Sequence, residues 1–99
     1  MATTSVEHYL TVLRTLKPEL AARYKVREIG VFGSFVRGEQ NQVSDLDVLV
    51  EFEEGADLFD LVGLALFLEQ VFQRAVDVVP KRALRAEVRS AILSEVIPA

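Results

Sequence analysis

The sequence has 99 residues, 51% hydrophobic and 26% charged, with a formal net charge of −4 and no cysteine. A chain of this length buries one modest core and cannot divide it, so residues 1–99 are read as a single domain. The composition excludes a charge-dominated disordered segment, and the lack of thiols excludes both a disulfide framework and a thiolate zinc site. No apolar run reaches the ~18 residues needed to span a bilayer, so the expectation is a protein of the reducing cytoplasm with no membrane association.

Charge is unevenly spread. Between Gly38 and Arg74 acidic residues recur with no Lys or Arg among them, whereas Arg74, Lys81, Arg82, Arg85 and Arg89 reverse the sign further on. The acidic stretch would repel a nucleic-acid backbone and suits metal binding better than direct nucleic-acid contact. The basic stretch reads first as a solvated helix face.

Thr4 followed by Glu7 forms a capping-box pattern, and Val6, Tyr9, Leu10, Leu13 and Leu16 recur at helical spacing. Pro18 breaks or kinks this helix and starts a short second piece containing Leu20, Ala21 and Tyr24. His8 falls on the first helix as a surface residue, and the two tyrosines, Tyr9 and Tyr24, as core or interface. Arg27 to Phe32 reads as a strand. Gly33 and Gly38 bracket a short polar stretch, and 39–44 reads as an exposed loop. Asp45 to Phe52 is the clearest strand, with Asp45, Asp47 and Leu49 on one side and Leu46, Val48 and Val50 on the other. After a turn at 53–56, Leu58 to Phe72 reads as a helix that is apolar around most of its circumference. Its stripe of Phe59, Leu66, Phe67, Val71 and Phe72 is taken as core, with an oligomer or partner surface as the second reading. Ala75 to Val79 is a buried strand ended by Pro80, and Ala83 to Val96 a last helix with Leu84, Val88, Ile92 and Val96 in register. The order predicts an α/β or α+β fold with a small mixed sheet flanked by helices.

Two features carry chemistry. Gly33 lets the backbone approach a phosphate, and Ser34 offers a hydroxyl where the strand turns into a short helix, a combination that suits a triphosphate. Ten residues separate Ser34 from Asp45. Asp45 and Asp47, at i and i+2 of a strand, project two carboxylates from one face, as hard cations with oxygen ligands require. Without a cation they repel and raise one another's pKa. Arg37 either neutralises triphosphate charge or fixes the loop by pairing with Glu39 or an aspartate. Asp77, in an otherwise apolar strand, is costly to bury unless something pairs with it.

Each feature alone is common, but the run Val31-Phe-Gly-Ser-Phe-Val-Arg-Gly followed by Ser44-Asp-Leu-Asp-Val-Leu-Val resembles the signature of the DNA polymerase β nucleotidyltransferase superfamily. Within it the chain is most similar to the MNT family of small nucleotidyltransferases, the antitoxin partners of HEPN-domain toxins. Arg37, Gly38 and Ser44 match that pattern, and Leu58-Phe-Asp-Leu, Leu68-Glu and Ala75-Val-Asp-Val-Val continue it. One departure is Gln73-Arg74, where the family usually has Gly-Arg or Gly-Lys. The resemblance implies the nucleotidyltransferase fold, ATP as nucleotide donor, and two magnesium ions held by Asp45, Asp47 and a third acid, Asp77. It also implies binding of the nucleotide through Gly33, Ser34 and Arg37, and transfer of AMP to a tyrosine of a HEPN-type toxin. The short chain leaves little room for a small-molecule acceptor pocket, so the acceptor is expected to be a protein. Arg82, Arg85 and Arg89, taken as one helix face, would complement an acidic partner, and the apolar excess leaves room for self-association as well. The alternative is a binding module that keeps the fold and masks its partner without catalysis.

Overall fold

A computed structural model describes residues 5–41 and 44–99. Thr4 of the expected capping box lies outside the described residues, and the first helix, α1 (Val6–Tyr24), is preceded by Ser5 in extended geometry. It is followed by β1 (Val26–Phe32), α2 (Ser34–Arg37), β2 (Leu46–Phe52), α3 (Leu58–Phe72) and β3 (Val76–Pro80). A 3-10 turn at Lys81–Ala83, α4 (Ala86–Glu95) and β4 (Ile97–Pro98) complete the order.

The four strands form one mixed sheet in the order β3-β2-β1-β4, with β1 antiparallel to β2 and β4, and β2 parallel to β3. This is the expected α+β arrangement. Helix α3 makes the crossover that two parallel strands require. Helices α1 and α3 cover one sheet face, where Leu10, Leu13 and Leu20 meet Ile29, Val31, Leu46, Val48, Val50, Leu64 and Leu68 in the core. A register shift between Val26 and Glu28 leaves Arg27 and Glu28 both exposed, so Val26 and Ile29 both reach that core although they are an odd number of residues apart. No helix of the described residues is long and apolar enough to cross a membrane.

Three expectations need correction. Helix α1 does not break at Pro18 but runs through it. An internal proline costs about 3 kcal/mol, while burying a leucine gains about 1.5–3 kcal/mol. Leu13 and Leu20 straddle the proline and are both 0% exposed, so packing on the sheet outweighs the local defect. The last helix is not 83–96. Leu84 and Arg85 are extended, α4 begins at Ala86, and Val96 leaves the helix because the next residues pair with β1. Arg82, Arg85 and Arg89 therefore do not share a helix face: the first lies in the 3-10 turn, the second precedes α4, and only the third is inside it. Finally, the α3 stripe divides. Phe67 and Phe72 pack against the core, whereas Phe59 is 86% exposed, Leu66 62%, and Val71 is also exposed. Two helices on one small sheet face leave the outer side of α3 uncovered.

Helix α3 starts where expected because Asp57 caps it, accepting from the Asp60 N–H while the Asp60 carboxylate accepts from the Asp57 N–H. It ends on Gln73 in the left-handed conformation, φ 53°. A glycine would take this position without the roughly 1 kcal/mol cost of a Cβ. The Gln73 amide restores part of that by donating to the Gln70 carbonyl at 2.7 Å, so the departure from the family's glycine leaves the turn in place.

Candidate active site

The ends of β1, β2 and β3 bring the sequence-predicted residues together. Strand β1 stops at Phe32, which pairs with Asp47 of β2. The next residue, Gly33, has φ 83° and ψ −151°, a conformation open to glycine. A Cβ built on it would fall on Oδ2 of Asp47 and 3.0 Å from its Cγ. The glycine is thus required by the carboxylate behind it, a reason the sequence did not reveal. Ser34 opens α2 half-buried, and among the described residues its hydroxyl has no hydrogen-bond partner.

Asp47 stands opposite Asp77 in the parallel register of β2 and β3. Asp45 lies just before β2 rather than inside it and is exposed, as is Asp77, while Asp47 is half-buried. Burial, then the charges of Asp77 and Asp45, push the Asp47 carboxyl above the usual range; Arg37 opposes them. Among the described residues none of the three makes an ion pair with Lys or Arg. They are neighbours rather than a closed ligand cage: no three acidic or histidine side chains of the described residues converge enough to hold an ion together.

Arg37 pairs with Glu39 through Nε at 3.0 Å, the loop-fixing alternative, and also with Glu95 through Nη1 at 3.0 and 3.3 Å. Glu95 in addition accepts from the Gly33 N–H at 2.6 Å. This amide first, and then Arg37, hold its carboxyl below the usual range against an opposing effect of burial. Sequence reasoning missed Glu95. A signal was present: an acid in the last turn of a helix faces the negative end of the dipole and calls for a cation nearby.

Arg74 was also missed. Its Nε donates to the Tyr9 hydroxyl at 3.1 Å, its Nη1 to the Ser44 carbonyl at 2.5 Å, and its guanidinium lies 5.0 Å from the Phe35 ring centroid. Tyr9, buried as expected, stacks edge-on against Phe35 of α2 and Phe72 of α3. Arg74 therefore ties the residue preceding Asp45 to the element carrying Ser34. Ser44 serves the loop, its Oγ accepting from the Asn41 N–H at 2.8 Å. His8 is exposed, as expected of a surface residue, and its ring lies edge-on against Tyr9 at 5.6 Å. Two clefts of about 290 and 280 Å³ are lined by residues around Glu51, Lys81 and α4, not by the candidate residues.

This arrangement offers a glycine turn, a serine hydroxyl and three carboxylates that make no ion pair with Lys or Arg among the described residues, the chemistry suited to binding a polyphosphate with a hard cation. Comparison with known proteins gives the family. Residues 13–98 match the nucleotidyltransferase domain family. The chain is 42% identical over 97 residues to the protein adenylyltransferase MntA of Thermococcus cleftensis, covering 98% of each. It superposes on a solved structure described as a candidate minimal nucleotidyltransferase with a TM-score of 0.81 at 39% identity, covering all of both chains. The complex of a tri-AMPylated Shewanella oneidensis HEPN toxin with an MNT antitoxin shares the fold, with a TM-score of 0.68 at 18% identity over 94% of this chain and 70% of that one. With the family model spanning most of the sequence and a near full-length relative above the twilight of chance similarity, the chain belongs to the nucleotidyltransferase domain family.

Proposed function

We propose that this protein is a magnesium-dependent protein adenylyltransferase that moves AMP from ATP to a tyrosine hydroxyl of a HEPN-type toxin and so neutralises it. The name carried by the Thermococcus relative supports the reaction class, and the HEPN complex of the Shewanella protein supports the kind of partner. The observation that carries the reading is the close approach of Gly33, the residue before Ser34, to the Asp47 carboxylate, with Asp47 paired in turn with Asp77.

Ser34 and Arg37 hold the triphosphate, with Gly33 keeping the turn clear. Asp45, Asp47 and Asp77 are the residues that would hold magnesium: all are hard oxygen donors, none makes an ion pair with Lys or Arg among the described residues, and Asp47 bears a charge disfavoured by its surroundings. Magnesium, when bound, neutralises charge on the phosphates as it shifts during transfer. Asp45 and Asp47 would supply its carboxylates; Asp77, exposed where its strand partner Asp47 is half-buried, would ligate as well or take the proton of the incoming hydroxyl. The acceptor oxygen forms a bond to the α-phosphorus, the bond from that phosphorus to the bridging oxygen breaks, and pyrophosphate departs. The cytoplasm, where ATP and magnesium are present, is the setting assigned.

A second reading, masking of the toxin by binding alone, draws on the exposed apolar side of α3. Incubation with the HEPN protein, ATP and magnesium separates the two. Added AMP mass on a toxin tyrosine is expected; a tight complex that silences the toxin with no added mass would favour masking.

A further inference from the structure

Glu95 belongs to none of the roles above, yet it contacts two of the nucleotide-binding candidates. Its place is set by the backbone. Strand β4 pairs antiparallel with β1 through Val31 with Ile97 and Gly30 with Pro98. Carried forward, each step along β1 matches a step back along the C-terminal segment, which sets Phe32 against Val96 and Gly33 against Glu95. The hydrogen bond from the Gly33 N–H to Glu95 Oε2 is the side-chain continuation of that ladder. Helix α4 itself buries no residue, so β4 and this contact fix its last turn.

We propose that Glu95 is a positioning residue for nucleotide binding, fixing the Gly33 amide and one edge of the Arg37 guanidinium so that the remaining Arg37 donors are presented to the triphosphate. The inference rests on the assignment of the triphosphate to Ser34 and Arg37. An exposed arginine carries ~2 kcal/mol of rotamer entropy, lost when it is immobilised on a ligand. Here Glu39 takes Nε and Glu95 takes Nη1, while among the described residues Nη2 has no partner. The side chain is ordered before ATP arrives, and the cost of ordering is removed from binding. Glu95 also keeps the Gly33 turn in register with the strand end, and this turn sets where the Ser34 hydroxyl lies.

The test is calorimetric titration of the intact chain with magnesium and ATP, comparing wild type, Glu95→Gln, Glu95→Ala, Arg37→Ala, Ser34→Ala and the Arg37→Ala/Glu95→Ala double variant, each first checked for folding by thermal melting. Glu95→Ala is expected to weaken ATP about tenfold, the scale of a charge-assisted hydrogen bond. Glu95→Gln, which keeps an acceptor for the Gly33 N–H and loses the ion pair, should weaken it less. In AMP transfer the KM for ATP should rise more than kcat falls. In the Arg37→Ala background, removal of Glu95 should cost clearly less than in wild type, which a purely structural role would not produce. If Glu95→Ala fails to fold, the isosteric Glu95→Gln carries the comparison. Unchanged ATP affinity in the Glu95 variants while Ser34→Ala still weakens it would overturn this inference and leave the site standing. Tighter ATP binding in Glu95→Gln would also overturn it, by showing that the carboxylate competes with phosphate. No effect of Ser34→Ala would bring down the site assignment itself, and the inference with it.

Discussion

Asp47 and Asp77 face each other across the one parallel strand pair of the sheet, so the separation of the two acids is set by backbone spacing rather than by side-chain packing. Neighbouring strands lie about 4.8 Å apart. Two carboxylates at that spacing repel, and the half-buried member bears most of the penalty: Asp47 is pushed above the usual range by burial, then by Asp77 and Asp45.

In the metal-free protein, Asp47→Asn is therefore expected to raise thermal stability at neutral pH while abolishing transfer. The sign follows from linkage. A carboxyl whose folded-state pKa is raised destabilises the fold when ionised, and this penalty disappears as pH falls through the folded value. Melting curves of wild type and Asp47→Asn should differ most near neutral pH and converge on acidification; a variant less stable than wild type at neutral pH would contradict the electrostatic account.

Asp77→Asn is expected to lower AMP transfer by about a hundredfold or more if it takes the acceptor proton. Calorimetry should show ATP binding largely kept in that case, whereas joint loss of metal affinity would mark Asp77 as a ligand instead. Intact-mass kinetics with the proposed toxin acceptor give the first number and magnesium titration the second.

Gly33→Ala should destabilise the protein by roughly 2 kcal/mol from the backbone conformation alone. It should lose more from the Cβ that meets the Asp47 carboxylate. Urea denaturation measures the sum. Because the clash needs the Asp47 side chain, adding Asp47→Ala should recover part of the loss, and strictly additive effects would show that the two residues do not touch.

Arg74→Ala removes the bonds to Tyr9 and Ser44. It is expected to cost about 1–3 kcal/mol and to lower transfer, since Asp45 follows Ser44 directly. Arg74→Lys should not restore it, because a single ammonium cannot span both acceptors and lie over Phe35. Full activity in Arg74→Lys would argue that the loop before Asp45 is held by other means.

Leu66→Ser and Phe59→Ser replace exposed apolar side chains of α3, so folding stability should change by no more than about 0.5 kcal/mol. Pull-down of the proposed HEPN partner by these variants tests whether this face docks it. Undiminished capture would move the interface elsewhere.

Much of this was legible in the sequence for physical reasons that differ from residue to residue. The Leu46, Val48, Val50 alternation and the apolar run of Leu58 to Phe72 are strong periodic signals, and the spacing from Ser34 to Asp45 and Asp47 pointed to residues that the strand ends bring together. What escaped depended on contacts distant along the chain. Pro18 is overridden by leucines packing on strands. Strand β4 is two residues long and shows no alternation, so Val96 read as the end of a helical stripe. Glu95 and Gly33 lie 62 positions apart, and no local pattern announces their pairing. The absence of a Cβ at Gly33 is required by Asp47, a requirement visible only when β1 and β2 are laid side by side.

Strand β1 links three of these parts: it runs into Gly33, lies along β2 up to Asp47, and lies along β4 as far as Ile97, two residues beyond Glu95. A breathing motion that frees one of these edges must disturb the others, so partial opening of the Gly33 turn without the acidic side is disfavoured. Amide protons at Val31, Val48 and Ile97 should then exchange with solvent together, as one cooperative unit whose opening silences the enzyme all at once.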